Sequence, residues 1–480
     1  MKPLLTQAAD ATPAPSARWA LASLALAMLL PSLGVSIANV GLPTLALAFG
    51  ASFQAVQWVV LAYLLAITTL IVSVGRLGDI AGRRRLLLVG IGLFTLASAL
   101  CGFAPSLGLL IVARALQGLG AAIMMALTMA FVGDTVAKAK IGSAMGLLGS
   151  MSAIGTALGP SLGGMLIDGL GWRSIFLITV PLGVLTLLLA KRYLPADQQA
   201  PNADHGGFDV VGTLLLALTL AAYALAMTLG RGSFGSLNLA LLVAALLGGG
   251  LLVLAEKRVA APLLPLALFR EPLLRGSLAM NALVSTVMMA TLVVGPFYLA
   301  LALGLDAALV GMVMSIGPLI SALSGVLAGR TVDRWGAPSM VVAGLGAMVL
   351  GSLALALLTH GFGVAGYIVA IAVLTPGYQL FQAANNTAVM RDVQADRRGV
   401  IAATLSLSRN LGLITGASAM GAVFVLASAT LDIGTAQPEA VAHGMRITFA
   451  VASALVAAAL VIALASHARA LRASLSAEAS

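Results

Sequence analysis

Apolar residues run along this chain in unbroken blocks of about twenty, each closed by a few charged residues or by Gly and Pro. A hydrocarbon core about 30 Å thick takes roughly 20 apolar residues to cross as a helix. The blocks therefore predict fourteen transmembrane helices: 19–41, 54–75, 86–104, 108–131, 142–167, 174–191, 210–229, 238–255, 277–300, 308–329, 339–358, 364–387, 399–428 and 446–466. Alternating segments of the kind that build outer-membrane barrels are missing. The expected fold class is all-α integral membrane. The first block follows a polar stretch with Lys2 and Asp10 and reads as an uncleaved signal-anchor.

Composition adds exclusions. Hydrophobic residues make up 60% and charged residues 9%, against about 25% charged in soluble domains. A water-soluble globule is excluded. Net charge is +10, but its placement is topological. With both ends cytoplasmic, most Lys and Arg fall in cytoplasmic segments, among them Arg83, Arg84, Arg85, Lys138, Lys140, Lys191, Arg192, Arg397 and Arg398. Outer loops and helix mouths keep Arg173, Arg231 and Arg446. Nucleic acid is not an expected partner. Cys101 is the single cysteine, so no intramolecular disulfide forms.

One pattern occurs twice. Gly75-Arg76-Leu77-Gly78-Asp79-Ile80-Ala81-Gly82 and Gly329-Arg330-Thr331-Val332-Asp333-Arg334-Trp335-Gly336 both read G-R-x-x-D-x-x-G, each in a tight cytoplasmic turn after an outside-to-inside helix. Two halves of like orientation follow, related by an axis along the membrane normal.

Charges inside spans are few. Arg114 lies seven residues into the fourth helix, about 10 Å deep at 1.5 Å per residue. Such a placement costs several kcal/mol unless the guanidinium is satisfied by carbonyls, water or a partner. Arg409 is the second, and none of the sixteen acidic residues lies deep in a span. The fifth helix spaces Gly146, Gly155, Gly159-Pro160 and Gly163-Gly164 so that another helix can approach its backbone. The twelfth collects Tyr378, Gln379, Gln382, Asn385 and Asn386, and the ninth carries Asn281, Thr286, Met288, Met289 and Thr291. These polar and adaptable side chains either line a cavity or tie helices together.

Together, the stretch Gly75–Arg85, the R-x-x-Q-G run at Arg114 and the glycine spacing of the fifth helix resemble the major facilitator superfamily. Asn39-Val40-Gly41-Leu42-Pro43, Gln57-Trp58 with Tyr63, Gly171-Trp172-Arg173, Phe208-Asp209 with Gly212, and Arg409-Asn410-Leu411-Gly412 extend the likeness to its fourteen-span drug:proton antiporters. The resemblance is strongest over 33–181. It implies a cytoplasmic tail (1–18), a six-helix N-terminal bundle (19–195), a loop with two inserted helices and a linker (196–275), a six-helix C-terminal bundle (276–467) and a final tail (468–480).

The same resemblance implies roles. Asp79, with Gly75, Gly82 and Arg83, and Asp333 in the second copy form a cytoplasmic latch between the bundles. Arg114 is associated with proton transfer, and Gly146, Gly155, Gly159, Pro160, Gly163 and Gly164 mark export. The expected substrate cavity draws on Asn39, Gln57, Trp58, Tyr63, Asn281, Met289, Tyr378, Gln379, Gln382, Asn386 and Arg409. One departure stands out: Gly34 occupies the position where the family often has Asp, which favours neutral or anionic substrates over a strict preference for cations. The implied protein is a monomeric exporter of small amphipathic molecules, driven by protons across the bacterial inner membrane, both termini cytoplasmic, without cofactor or metal. Import of a metabolite or a lipid-like solute is the alternative. An enzyme is not expected: His205, His360, His443 and His467 are scattered, and no G-x-x-x-x-G-K-[ST] phosphate loop occurs.

Overall fold

In lipid a helix satisfies its backbone internally, and this chain is helical wherever its apolar blocks lie. The computed structural model describes residues 15–71, 73–135, 141–195, 209–229, 235–257, 271–390, 398–429 and 436–478. Fourteen long helices result: α1 (Pro15–Val40), α2 (Phe53–Ile71), α3 (Arg83–Gly102), α4 (Leu107–Thr135), α5 (Ile141–Leu170), α6 (Ser174–Tyr193) and α7 (Val210–Thr228), then α8 (Ser236–Glu256), α9 (Pro272–Ala302), α10 (Ala307–Trp335), α11 (Ala337–Thr359), α12 (Gly361–Met390), α13 (Thr404–Ala427) and α14 (Pro438–Glu478). Among the described residues thirteen are long and apolar enough to cross a membrane, and α5 completes the set. No strand occurs among the described residues.

Most sequence boundaries hold to within a few residues, with larger departures at several helix ends: α9 starts five residues earlier, at Pro272, and α10 runs six further, to Trp335. The second span stops at Ile71, and a separate helix, Val74–Ala81, carries the basic turn. The last helix runs from Pro438 to Glu478, well past the apolar block, because Ala-rich polar sequence continues the helix beyond it. Helix starts follow capping chemistry. Asp209 accepts from the Gly212 amide and Asp306 from the Leu309 amide, both at 2.7 Å.

Successive helices alternate in direction, so α1 begins and α14 ends on one face, the near face; the other is the far face. α1–α6 and α9–α14 form the two halves. The two copies of the repeated turn lie on the near face with the same backbone. Gly82 (φ 91°) closes Val74–Ala81 and Gly336 (φ 83°) closes α10, each N–H donating to the carbonyl four residues back. A side chain at either position would be strained.

The repeat extends into the packing. A Cβ on Gly120 would stand 2.8 Å from the Gly90 carbonyl, joining α3 to α4; one on Gly344 would stand 2.8 Å from the Gly377 carbonyl, joining α11 to α12. Gly155 and Gly159 press α5 against Leu29 and Ile37 of α1, as Gly412 and Gly416 press α13 against Ala282 and Thr286 of α9. Lipid provides little hydrophobic drive between helices, so close backbone approach supplies the contact energy. Leucines such as Leu246, Leu247 and Leu323 stay exposed on the outside, where hydrocarbon meets them.

Candidate functional site

The halves meet along a seam that is shut at one end and parted at the other. In the far half, one buried apolar cluster runs across both: Val56, Val59 and Phe176 join Val293, Phe297 and Val310. Toward the near face the cores separate. Leu24, Leu87 and Leu148 belong to one cluster, and Leu274, Leu278 and Leu405 to another.

Glycines draw the same wedge. A Cβ on Gly164 would lie 3.0 Å from the Gly311 Cα, and one on Gly311 would collide with the Pro160 carbonyl, so α5 and α10 touch backbone to backbone. Nearer the near face, nothing lies within 4 Å of the Cβ position at Gly146, Gly149 or Gly329.

The equivalent crossing joins α13 to α2. Residues Gly416–Met420 form a π-helical turn, and the Ala417 carbonyl there accepts from Gln57 Nε2 at 2.8 Å. Local widening of this kind frees backbone groups for such contacts. Phe53 packs its ring against Phe297 (4.6 Å between centroids) and Phe424 (5.3 Å). The inserted helix α7 straddles this crossing. It reaches α2 through Trp58 Nε1, which donates to Thr228 (3.1 Å), and the start of the Val74–Ala81 helix through Ser73–Thr213 (3.1 Å); the Tyr223 hydroxyl donates to Thr415 of α13 (3.2 Å).

Arg114 is wholly buried inside the N-terminal half. Its Nε donates to the Val59 carbonyl (2.8 Å); its Nη1 donates to the Gly34 carbonyl (3.1 Å) and Gln117 Oε1 (2.5 Å). Gln117 passes the chain on to Ser98 Oγ (2.7 Å), which donates to the Phe94 carbonyl. The guanidinium stacks 4.2 Å from the Tyr63 ring centroid, and the Tyr63 hydroxyl donates to the Pro31 carbonyl (3.0 Å). One cation thus ties α1, α2 and α4, with α3 reached through Gln117. Gly34 packs toward Phe94 and Tyr63, so the missing carboxylate of the first helix would have entered this knot.

The second intramembrane arginine is placed differently. Arg409 lines a cavity of about 270 Å³ with Asn281, Gln382, Asn386, Met390, Leu405 and Ser406, all from α9, α12 and α13. Arg409, Asn386 and Ser406 are exposed there. Asn281 Nδ2 donates to the Leu405 carbonyl (2.9 Å), and Gln382 Nε2 to the Tyr378 hydroxyl (3.0 Å). Arg409 makes no hydrogen bond or ion pair with any described residue.

Comparison with known proteins decides the family. The sequence pattern of the Major Facilitator Superfamily matches residues 24–417. The chain belongs to the major facilitator superfamily. It is 34% identical to the multidrug resistance protein Stp of Mycobacterium tuberculosis (strain ATCC 25618 / H37Rv) over 408 residues, 82% of this chain and 74% of that protein. With the riboflavin transporter RibZ of Clostridioides difficile (strain 630) it shares 30% over 399 residues, covering 83% and 86%. In fold it resembles the nucleoside transporter NupG (TM-score 0.68, 12% identity, covering 93% and 99%). It also resembles a bacterial homolog of the human lysosomal transporter Spinster (TM-score 0.66, 14%, covering 94% and 97%).

This major facilitator transporter distributes its expected site residues unevenly. Of the expected cavity set, Asn281, Gln382, Asn386 and Arg409 come together. Gln379 instead donates to Ser321 of α10, Trp58 turns to α7, Tyr63 sits under Arg114, and Asn39 and Met289 are buried in the far cluster region. Gln57 belongs to the seam. Among the residues expected to mark export, Gly155, Gly159 and Gly163 face α1 and Pro160 and Gly164 face α10, while a side chain at Gly146 would meet nothing among the described residues. Asp333 and Arg83 are exposed on the near face. The Asp79 side chain and the surroundings of Gly75 lie outside the described residues. Sequence reading missed Gly311, Gly416 and Gly421, because the helix each one meets is far away along the chain.

Proposed function

We propose that this transporter is a secondary active exporter of small amphipathic molecules, working by proton antiport with both termini cytoplasmic. The observation that carries the reading is the wedge. The α5–α10 seam closes on glycines at the far face and parts at the near face, so a solute reaches the cavity from one side. Rocking the halves would reverse the opening, with Asp79 and Asp333 on the near face as the expected latch and Arg114 as the family's proton-linked residue. The basic near-face segments favour a cytoplasmic near face, and the glycine spacing of α5 together with the likeness to Stp favours export.

The test is uptake into everted vesicles from cells deprived of their own pumps. Accumulation of drugs that stops when the proton gradient is collapsed supports the proposal; accumulation unaffected by the gradient refutes proton drive. The likeness to RibZ keeps a second reading, movement of a metabolite such as a flavin. Gradient-dependent flux of riboflavin with indifference to drugs would select it.

A further inference from the structure

We infer that the Arg409 cavity recognises an oxyanion (a carboxylate, sulfonate or phosphate) carried on a small apolar body. The inference rests on the transporter reading above and names the substrate class of its cavity. Two arginines lie inside spans, and they form an internal control. Arg114 is buried, and its Nε and Nη1 donate to two carbonyls and Gln117, leaving Nη2 without a partner among the described residues. Its guanidinium is held mainly by protein groups. Arg409 has the opposite setting: exposed to the cavity, without a hydrogen bond or ion pair to any described residue.

No described protein group engages Arg409, so its donors are free for a ligand. A bound anion would engage them, since a guanidinium presents paired donors that match a carboxylate or phosphate edge. The surroundings agree. Of the other polar groups of the cavity, Asn386 and the Ser406 hydroxyl are exposed and able to donate to an oxygen, while the amide nitrogens of Asn281 and Gln382 already donate to the Leu405 carbonyl and the Tyr378 hydroxyl. No carboxylate lines the cavity among the described residues, so a cationic ligand would meet the Arg409 charge with no described counterion. Met390 and Leu405 supply apolar wall. At about 270 Å³, the space holds an anionic head with one or two rings; a longer apolar body extends into the parted seam.

Three probes of nearly one shape separate charge from size: 1-naphthoate, 1-naphthamide and 1-naphthylmethylammonium. Calorimetric titration of the full-length protein in detergent should rank them in that order, with naphthoate at least tenfold tighter than naphthamide. Arg409→Gln should bring naphthoate level with naphthamide, and Arg409→Lys should keep part of the difference. Should a variant fail to fold, the ranking by the unmodified protein still decides. Ammonium binding as tight as naphthoate, a preference that survives Arg409→Gln, or no naphthoate binding at millimolar concentration overturns the inference. Equilibrium binding does not depend on turnover, so the exporter reading stands or falls separately: cationic dyes pumped into everted vesicles would leave export intact while removing the anion site.

Discussion

At the scale of single residues, the depth of Arg114 was legible in the sequence, and its partners were not. The rise per residue gives depth; the Val59 and Gly34 carbonyls come from other helices. The knot predicts a stability effect. Arg114→Ala should lower the melting temperature of the purified protein, at a cost of about 2–4 kcal/mol for the lost hydrogen bonds and the void left behind. Arg114→Lys keeps the charge but lacks the fork, and should fall between. Unchanged melting with loss of gradient-driven transport alone would show that Arg114 handles protons without holding helices.

At the scale of elements, helix count, order and capping were readable because each depends on local sequence. The pairing of helices was not. Gly164 announces a close approach, but its partner Gly311 lies nearly 150 residues on, in a helix whose own glycines do not say which helix they meet. Gly311→Val would drive a side chain into the Pro160 carbonyl, and overpacking of this kind costs about 1–3 kcal/mol. The expected result is lost transport with the protein still inserted, read in proteoliposomes; full activity would show that the halves need not touch there. The polar contacts of α7 are weaker, roughly 0.6 kcal/mol each. Thr213→Ala, Tyr223→Phe or Thr228→Ala alone should be nearly silent. All three together should raise deuterium uptake along α7, and unchanged exchange would mean that apolar packing alone holds it.

At the scale of the whole molecule, the parallel relation of the halves was visible in the two basic turns, whereas the direction of opening was not, since one sequence serves both states. The opening is checkable because Cys101 is buried and should be silent to impermeant thiol reagents. Ser406→Cys should label from the near face only, and Phe53→Cys from neither; labelling of Ser406→Cys from the far face would contradict the wedge. Gly146 belongs at this scale as well. A side chain there would meet nothing among the described residues, so Gly146→Leu should preserve ligand binding at Arg409 while arresting turnover, if the near ends of α5 and α10 meet when the opening reverses. Turnover at the unmodified rate would assign Gly146 no part in that closure.

The position of α7 makes the two flanks of the transporter unequal. It spans the flank between α2 and α13 with hydrogen bonds to both, while the flank between α5 and α10 is held by direct packing of the two helices about their glycine crossing. One flank is thus bridged by a third helix, and the other is a direct contact between the halves that can pivot on its glycines. Spin labels at Gly149 and Gly329 should report the wider swing, and a labelled pair at the α2–α13 flank the narrower one; equal excursions would mean that α7 does not restrain its flank.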